Sequence, residues 1–281
     1  MQSEIRTDGQ LGRILWLSDG KTEVGVALDF GIRIMHLSCV GMENLFYRQP
    51  ADLSDGLARK NGWRLYGGHR LWMAPESNDS FEPDNQPVFY TLEENGVYLE
   101  QEPDTCLHIK KFLRIRFQPD GGIAVEQGME NLSDATMTGA SWGINTLASG
   151  GKAEISFECN IPEGSNKYNP TRSISLWTDT DIYDPRLHFT KQSLEATFMP
   201  LDARLKVGLY ANPGKAVFYN KDQKLTICFD VLPMEQHPDS GCNFELYMCK
   251  NFMELETLGA KTAMQPGEST SHTEVWYLDK Q

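Results

Sequence analysis

The chain has 281 residues, a net charge of −13, and 40% hydrophobic and 10% aromatic side chains. That apolar share can fill a large core, while the acidic balance argues against nucleic-acid or anionic-membrane partners, which need a positive surface to displace counterions. No window approaches the ~18 consecutive apolar residues of a membrane span, and the polar first ten residues hold no apolar signal-peptide segment. Period-2 patterns dominate and long helical periods are absent. In chain order, strands are expected at 22–29, 31–37, 96–100, 106–117, 123–130, 136–147, 153–159, 173–177, 203–210, 216–219, 225–231, 243–256 and 273–278. Turn residues punctuate them at Pro119-Asp120-Gly121-Gly122, Asn131-Leu132-Ser133-Asp134, Asn212-Pro213-Gly214-Lys215 and Gln265-Pro266-Gly267-Glu268. Helix is confined to a turn or two near 53–60. The expectation is an all-β fold, a large antiparallel β-sandwich forming one domain over residues 1–281.

Six cysteines (Cys39, Cys106, Cys159, Cys228, Cys242, Cys249) show neither CxxC pairs nor metal-type spacing. Most lie in apolar runs, where a buried free thiol is the default, so a reducing, cytoplasmic setting is expected. Two long connections, 77–87 and 160–170, break the strand rhythm and either rim a binding site or are simply solvated. The acids Glu76, Asp79, Glu82 and Asp84 lack the Gly-punctuated register of a Ca²⁺ loop and read as a solvated loop, so no metal is expected. Nor is any cofactor, since no nucleotide-binding, zinc-protease or serine-nucleophile motif is present.

The most informative stretch runs Gly62-Trp63-Arg64-Leu65-Tyr66-Gly67-Gly68-His69-Arg70-Leu71-Trp72-Met73-Ala74-Pro75-Glu76. It reads either as a pocket wall or as a core strand with a Gly-Gly bulge and two anchoring Trp. In the first reading, flat aromatic faces stack on sugar C–H surfaces, Arg and Glu bind hydroxyls, and glycines admit a ligand close to the backbone. A secondary polar group, Asp181-Ile182-Tyr183-Asp184-Pro185-Arg186-Leu187-His188, would put Arg186 and His188 on one face if extended.

Four places together resemble the galactose mutarotase-like (aldose 1-epimerase-like) superfamily. They are Phe30-Gly31-Ile32-Arg33-Ile34-Met35-His36-Leu37 with Gly41-Met42-Glu43-Asn44-Leu45, the stretch above, Glu130-Asn131-Leu132-Ser133-Asp134 with Ser141-Trp142-Gly143-Ile144-Asn145, and Phe252-Met253-Glu254-Leu255-Glu256-Thr257 with the Pro266-Gly267 hairpin. The likeness spans almost the whole chain and implies a mutarotase-like β-supersandwich with a mono- or oligosaccharide ligand, as monomer or homodimer.

It also implies sugar-anomer interconversion. One group takes the proton of the anomeric hydroxyl while another protonates the ring oxygen; the aldehyde rotates and recloses. Glu254 stands at the position of the family's base, and Glu256 follows on the same strand face. Where the family carries histidines, this chain has Tyr66 and Trp142, which leaves His69 or His188 as acid candidates, with His108 a further imidazole that could reach the pocket. Arg64, Arg70, Trp72, Glu76 and Trp142 are the expected sugar contacts. Two other readings stand beside this one: a non-catalytic carbohydrate-binding or sensing protein, and a glycosidase or lyase accessory activity, in which the separation of Glu254 and Glu76 would matter.

Overall fold

Alternation shows directly in how strand residues are buried. Along Ile109–Phe117, Ile109, Lys111, Leu113 and Ile115 are buried, and the residues between them face outward. The computed structural model describes residues 1–50, 61–158, 168 and 171–281, and among these 21 strands form two antiparallel sheets.

Five neighbours open the first sheet: β1 (Gln2–Asp8), β2 (Gly12–Ser18), β3 (Thr22–Ala27), β4 (Arg33–Cys39) and β5 (Gly68–Ala74). Four strands of the second sheet follow: β6 (Phe89–Glu93), β7 (Gly96–Glu100), β8 (Ile109–Phe117) and β9 (Ile123–Asn131). The chain then shuttles between the layers. β10 (Met137–Ala148) returns to the first sheet, β11 (Lys152–Ser156) to the second, and β12 (Ile174–Leu176) to the first. β13 (Leu187–Phe189) and β14 (Ser193–Thr197) extend the second, β15 (Leu205–Leu209) the first, and β16 (Lys215–Asn220) and β17 (Gln223–Phe229) the second. The hairpin β18 (Phe244–Met248) and β19 (Phe252–Leu258) with short β20 (Thr262–Met264) completes the first, and β21 (Ser269–Lys280) the second.

The spatial order is β1-β2-β3-β4-β5-β10-β19-β18-β15-β12, with β20 on β10, against β13-β14-β11-β16-β17-β21-β9-β8-β7-β6. A single apolar cluster unites them, drawing Leu17, Val24 and Leu37 from one sheet and Leu99, Ile115, Phe218 and Trp276 from the other. Each such buried side chain contributes about 1.5–3 kcal/mol relative to exposure. The expected antiparallel sandwich is therefore the observed architecture.

Two of the quoted motifs turn out to lock turns. Asn44 Oδ1 accepts from the amides of Leu37 (2.9 Å) and Phe46 (3.0 Å), while its Nδ2 donates to Met35 O (2.8 Å). Asn131 Nδ2 donates to Ala135 O (2.8 Å) and Met264 O (2.9 Å), tying two hairpin ends together.

Differences from the sequence expectations have local causes. The run 243–256 is two strands, because the backbone turns at Cys249, whose amide bonds Phe252 O (3.1 Å), without any Gly or Pro to mark it. β1 was not foreseen: an edge strand exposed along nearly its whole length has no buried face to leave a period-2 trace. Cys106 is exposed, not buried, and its thiol donates to Glu82. The helical turn expected at 53–60, Cys159, and the connection 160–170 apart from Tyr168 lie outside the described residues. No helix among the described residues is long and apolar enough to cross a membrane.

Candidate functional site

Within the stretch from Gly62 to Glu76, only Gly68–Ala74 is strand. Gly67 and Gly68 adopt φ of 90° and 72°, and a Cβ on them would lie 2.2 Å from Tyr47 O and 2.3 Å from Ile34 O. The glycine pair therefore lets neighbouring backbones close on each other; it does not open the backbone to a ligand, as the sequence suggested.

From Gly68 onward, strand parity sorts the side chains. Arg70 and Trp72 face outward into a cleft, whereas Leu71 packs between the sheets against Ile109 and Met129. Register then assembles the floor. Trp72 pairs with Trp142 and Arg70 with Ile144; Ile144 pairs with Glu256 and Thr146 with Glu254. Glu254 pairs with Tyr247 and Glu256 with Glu245, and Tyr247 pairs with Lys206. Five adjacent strands, β5, β10, β19, β18 and β15, thus bring these groups to one face at the middle of the first sheet.

Above this floor lies a cavity of about 460 Å³, walled also by Trp63, Leu65, Phe81, Trp177, Asp179, Thr180, Arg204, Phe252 and Glu76. That volume falls in the range of small-molecule sites. Trp72 is the hub of the aromatic wall, with ring centroids 5.7 Å from Trp142, 4.8 Å from Phe81 and 6.1 Å from Trp63. The connection 77–87 forms part of the rim and is pinned down. Asn61 donates to Phe81 O (2.7 Å), Tyr66 to Asn85 (2.9 Å), and buried Arg33 pairs with Asp84 (2.6 Å). Its acids disperse: Glu82 accepts from Thr105 and Cys106 while Asp84 goes to Arg33.

Two carboxylates on β19 carry the electrostatics. Glu254 Oε1 accepts from Thr146 (2.8 Å) and from Arg70 Nη1 (3.2 Å), and the Arg70 guanidinium stacks 4.7 Å over Trp72. Glu256 Oε2 accepts from Trp142 Nε1 (2.9 Å) and Lys206 Nζ (3.3 Å). Burial pushes the Glu256 pKa up, Lys206 opposes this and Glu254 adds to it. Glu245, behind Glu256, is raised to about 8, by burial first, against the pull of Lys206. Burial disfavours the Lys206 ammonium, yet Glu256 and Glu245 hold its pKa above the ordinary lysine value.

Of the residues expected from sequence, Glu254, Glu256, Arg70, Trp72, Glu76 and Trp142 line this one cleft. Three do not. His69 is one position from Arg70 and so faces the opposite side, where it is 1% exposed, bonds Asn145 (3.0 Å) and meets the Trp276 ring edge-on. Burial lowers its pKa. His188 is exposed on β13, an edge strand of the other sheet, beside Glu195. It shares no environment with Arg186, which is buried in an ion pair with Asp184 (2.7 Å). Arg64 points to solvent, and its neighbours Trp63 and Leu65 form the wall instead. His108, too, lies outside the lining of the cleft. Sequence reasoning missed Lys206, Tyr247, Glu245, Arg204, Asp179 and Trp177. Lys206 left one signal, a lysine between Leu205 and Val207 in an otherwise apolar strand.

No protein-family model matches the chain, and no curated protein sequence does either. Solved structures do. A galactose mutarotase-like protein from Lactobacillus casei superposes with a TM-score of 0.57 at 12% identity, over 95% of this chain and 100% of that one. Another from Clostridium acetobutylicum gives 0.55 at 11% identity, over 100% and 99%. A Synechocystis protein gives 0.59 at 12%, over the whole of both chains. The chain has the galactose mutarotase-like fold. At such identities the likeness carries the mutarotase-like architecture, and the chemistry has to be argued from the residues in the cleft.

Proposed function

We propose that this protein binds a mono- or oligosaccharide in the cleft and interconverts its anomers, with Glu254 as the base. The observation that carries this reading is the pair Glu254 and Glu256 on the floor of an aromatic-walled cavity, Glu254 beside Arg70 and Glu256 beside Lys206. Indole faces suit sugar C–H surfaces, and carboxylates with Arg70 and Arg204 suit hydroxyls. Arg70 and Thr146 both engage Glu254 Oε1, and among the described residues no donor reaches its Oε2. That oxygen is free to accept the anomeric proton. In this reading the protein is a one-domain cytoplasmic enzyme, a setting that suits its free thiols.

Exchange NMR on a panel of aldoses tests it. Catalysed anomer exchange is expected in the wild type and about 10³-fold less in Glu254→Gln, with calorimetric affinity nearly kept. Unchanged exchange in that variant would sink the assignment. A second reading, a sugar-binding or sensing protein without catalysis, is favoured by one fact: none of the six histidines lines the cleft. Tight binding without exchange above the spontaneous rate is its signature.

A further inference from the structure

Lys206 Nζ lies 2.7 Å from Glu245 Oε2 and 3.3 Å from Glu256 Oε2, and 4.5 Å and 5.0 Å from the ring centroids of Trp142 and Trp177. Two carboxylates share this single ammonium, and each belongs to a residue 1% exposed. One positive charge compensates one of them; a second anion at that depth stands unpaired, a state that buried charges avoid by taking up a proton. Glu245 Oε1 is buried and accepts no hydrogen bond. One proton on the pair removes the unpaired charge.

The remaining groups around the pair are mostly negative. Arg70, from β5, bonds Glu254 and Thr146 and opposes the rise at Glu256, and Arg204, before β15, lines the same cleft. Glu254 on β19, Glu76 beyond β5 and Asp239 before β18 all add negative charge. The Tyr247 phenol and the Cys242 thiol have pKa values raised by burial and bring no positive charge.

We propose that Glu245 and Glu256, sharing the Lys206 ammonium, also hold one carboxyl proton between them at neutral pH, and that Glu256 delivers it into the cleft as the acid partner of Glu254. The delivery step rests on the anomer-exchange reading above. Glu254 removes the O1 proton, the C1–O1 bond becomes a carbonyl, the C1–O5 bond breaks, and the Glu256 carboxyl protonates O5. After rotation about C1–C2, O5 attacks C1 from the other side, its proton returns to Glu256, and Glu254 reprotonates O1. Glu256 lines the cleft, and among the described residues no donor reaches its Oε1. Glu245 does not line the cleft; it acts as a positioning residue that keeps Lys206 from neutralising Glu256 alone.

Carbon-13 NMR of protein labelled at the glutamate side-chain carboxyl reads the proton without turnover. The expected wild-type spectrum has a carboxyl titrating near pH 8, apart from the ordinary group near 4, and Glu245→Gln or Glu256→Gln removes that step. A spectrum with every carboxyl ionised at pH 7 overturns the proposal whatever the activity. The pH–rate profile then tests delivery. Exchange should fall as pH rises above neutrality, because the Glu256 acid, its pKa raised by burial, must be protonated. In Glu245→Gln the fall moves to lower pH, since Lys206 then serves Glu256 alone; in Lys206→Met it moves higher. A limb that stays in place in both variants overturns the acid role. If the proton is held but no aldose exchanges, the mutarotase reading fails and delivery with it, and the held proton alone stands.

Discussion

Strand β19 presents buried carboxylate chemistry on both its faces, and the two faces differ in what they leave undone. Toward the second sheet, Thr257 meets Glu274 of β21, which is fully buried and has no cation partner among the described residues. Glu274 accepts from Thr257, from Trp276 Nε1 and from Asn145 Nδ2 at 3.1–3.2 Å, so neutral donors occupy both its oxygens. Gly143 makes room for it: a Cβ there would lie 2.0 Å from Gln127 Nε2 and 2.7 Å from Glu274 Oε1. Toward the cleft, Glu254 and Glu256 are held by cations through one oxygen each. A carboxylate saturated by neutral donors is a structural fixture. One with an oxygen turned to open space keeps a capacity for proton transfer.

Exchanging carboxylate for amide on each face should separate these roles, and the cleft side gives the larger effect. Glu254→Gln is expected to lower anomer exchange about 10³-fold, and it also costs about 3 kcal/mol because the buried Arg70 charge loses its partner. Glu274→Gln should lower stability alone. Its amide presents two donors to a site built entirely of donors, which costs about 3 kcal/mol in urea unfolding and leaves exchange per folded molecule unchanged. If Glu274→Gln abolished exchange in folded protein, the division between the faces would be wrong.

This division was partly legible beforehand. Alternation and turn residues made the sandwich readable, because each strand buries a face and the turns carry Gly, Pro, Asn or Asp. Glu254 with Glu256, and Arg70 with Trp72, are two apart, so parity alone puts each pair on one side. The same parity was enough to remove His69, which adjoins Arg70 and cannot share its face. Which strands become neighbours is another matter. Lys206 meets Glu245 and Glu256 only because β15, β18 and β19 lie side by side, and His188 is remote only because β13 joins the other sheet. Periodicity within a strand holds no trace of that long-range pairing.

Proton linkage gives a smaller but sharper contrast, because the two faces bend stability in opposite directions with pH. His272, in the inter-sheet layer with Nε2 2.9 Å from Thr257 Oγ1, has its pKa lowered to about 4, by burial first, with Glu274 opposing. Between about 4 and the unfolded value near 6.5, the unfolded chain binds the extra proton, so stability falls as pH drops through that window. His36, lowered to about 4 by burial and by Arg6, adds a second such contribution. Glu245 is the opposite case. Its folded value of about 8 exceeds the ordinary 4.5, so the folded chain binds the extra proton and stability falls as pH rises between them. Each group contributes a slope of up to about 1.4 kcal/mol per pH unit within its window. Urea midpoints measured from pH 4 to 8.5 should therefore lose part of the acid slope in His272→Gln, since burial lowers His36, His69 and His237 as well, whereas Glu245→Gln should remove an opposing slope that runs from about 4.5 to about 8. An acid limb untouched by His272→Gln would mean that this imidazole is already charged between the sheets, and the inter-sheet face would lose its standing as the proton-poor side of β19.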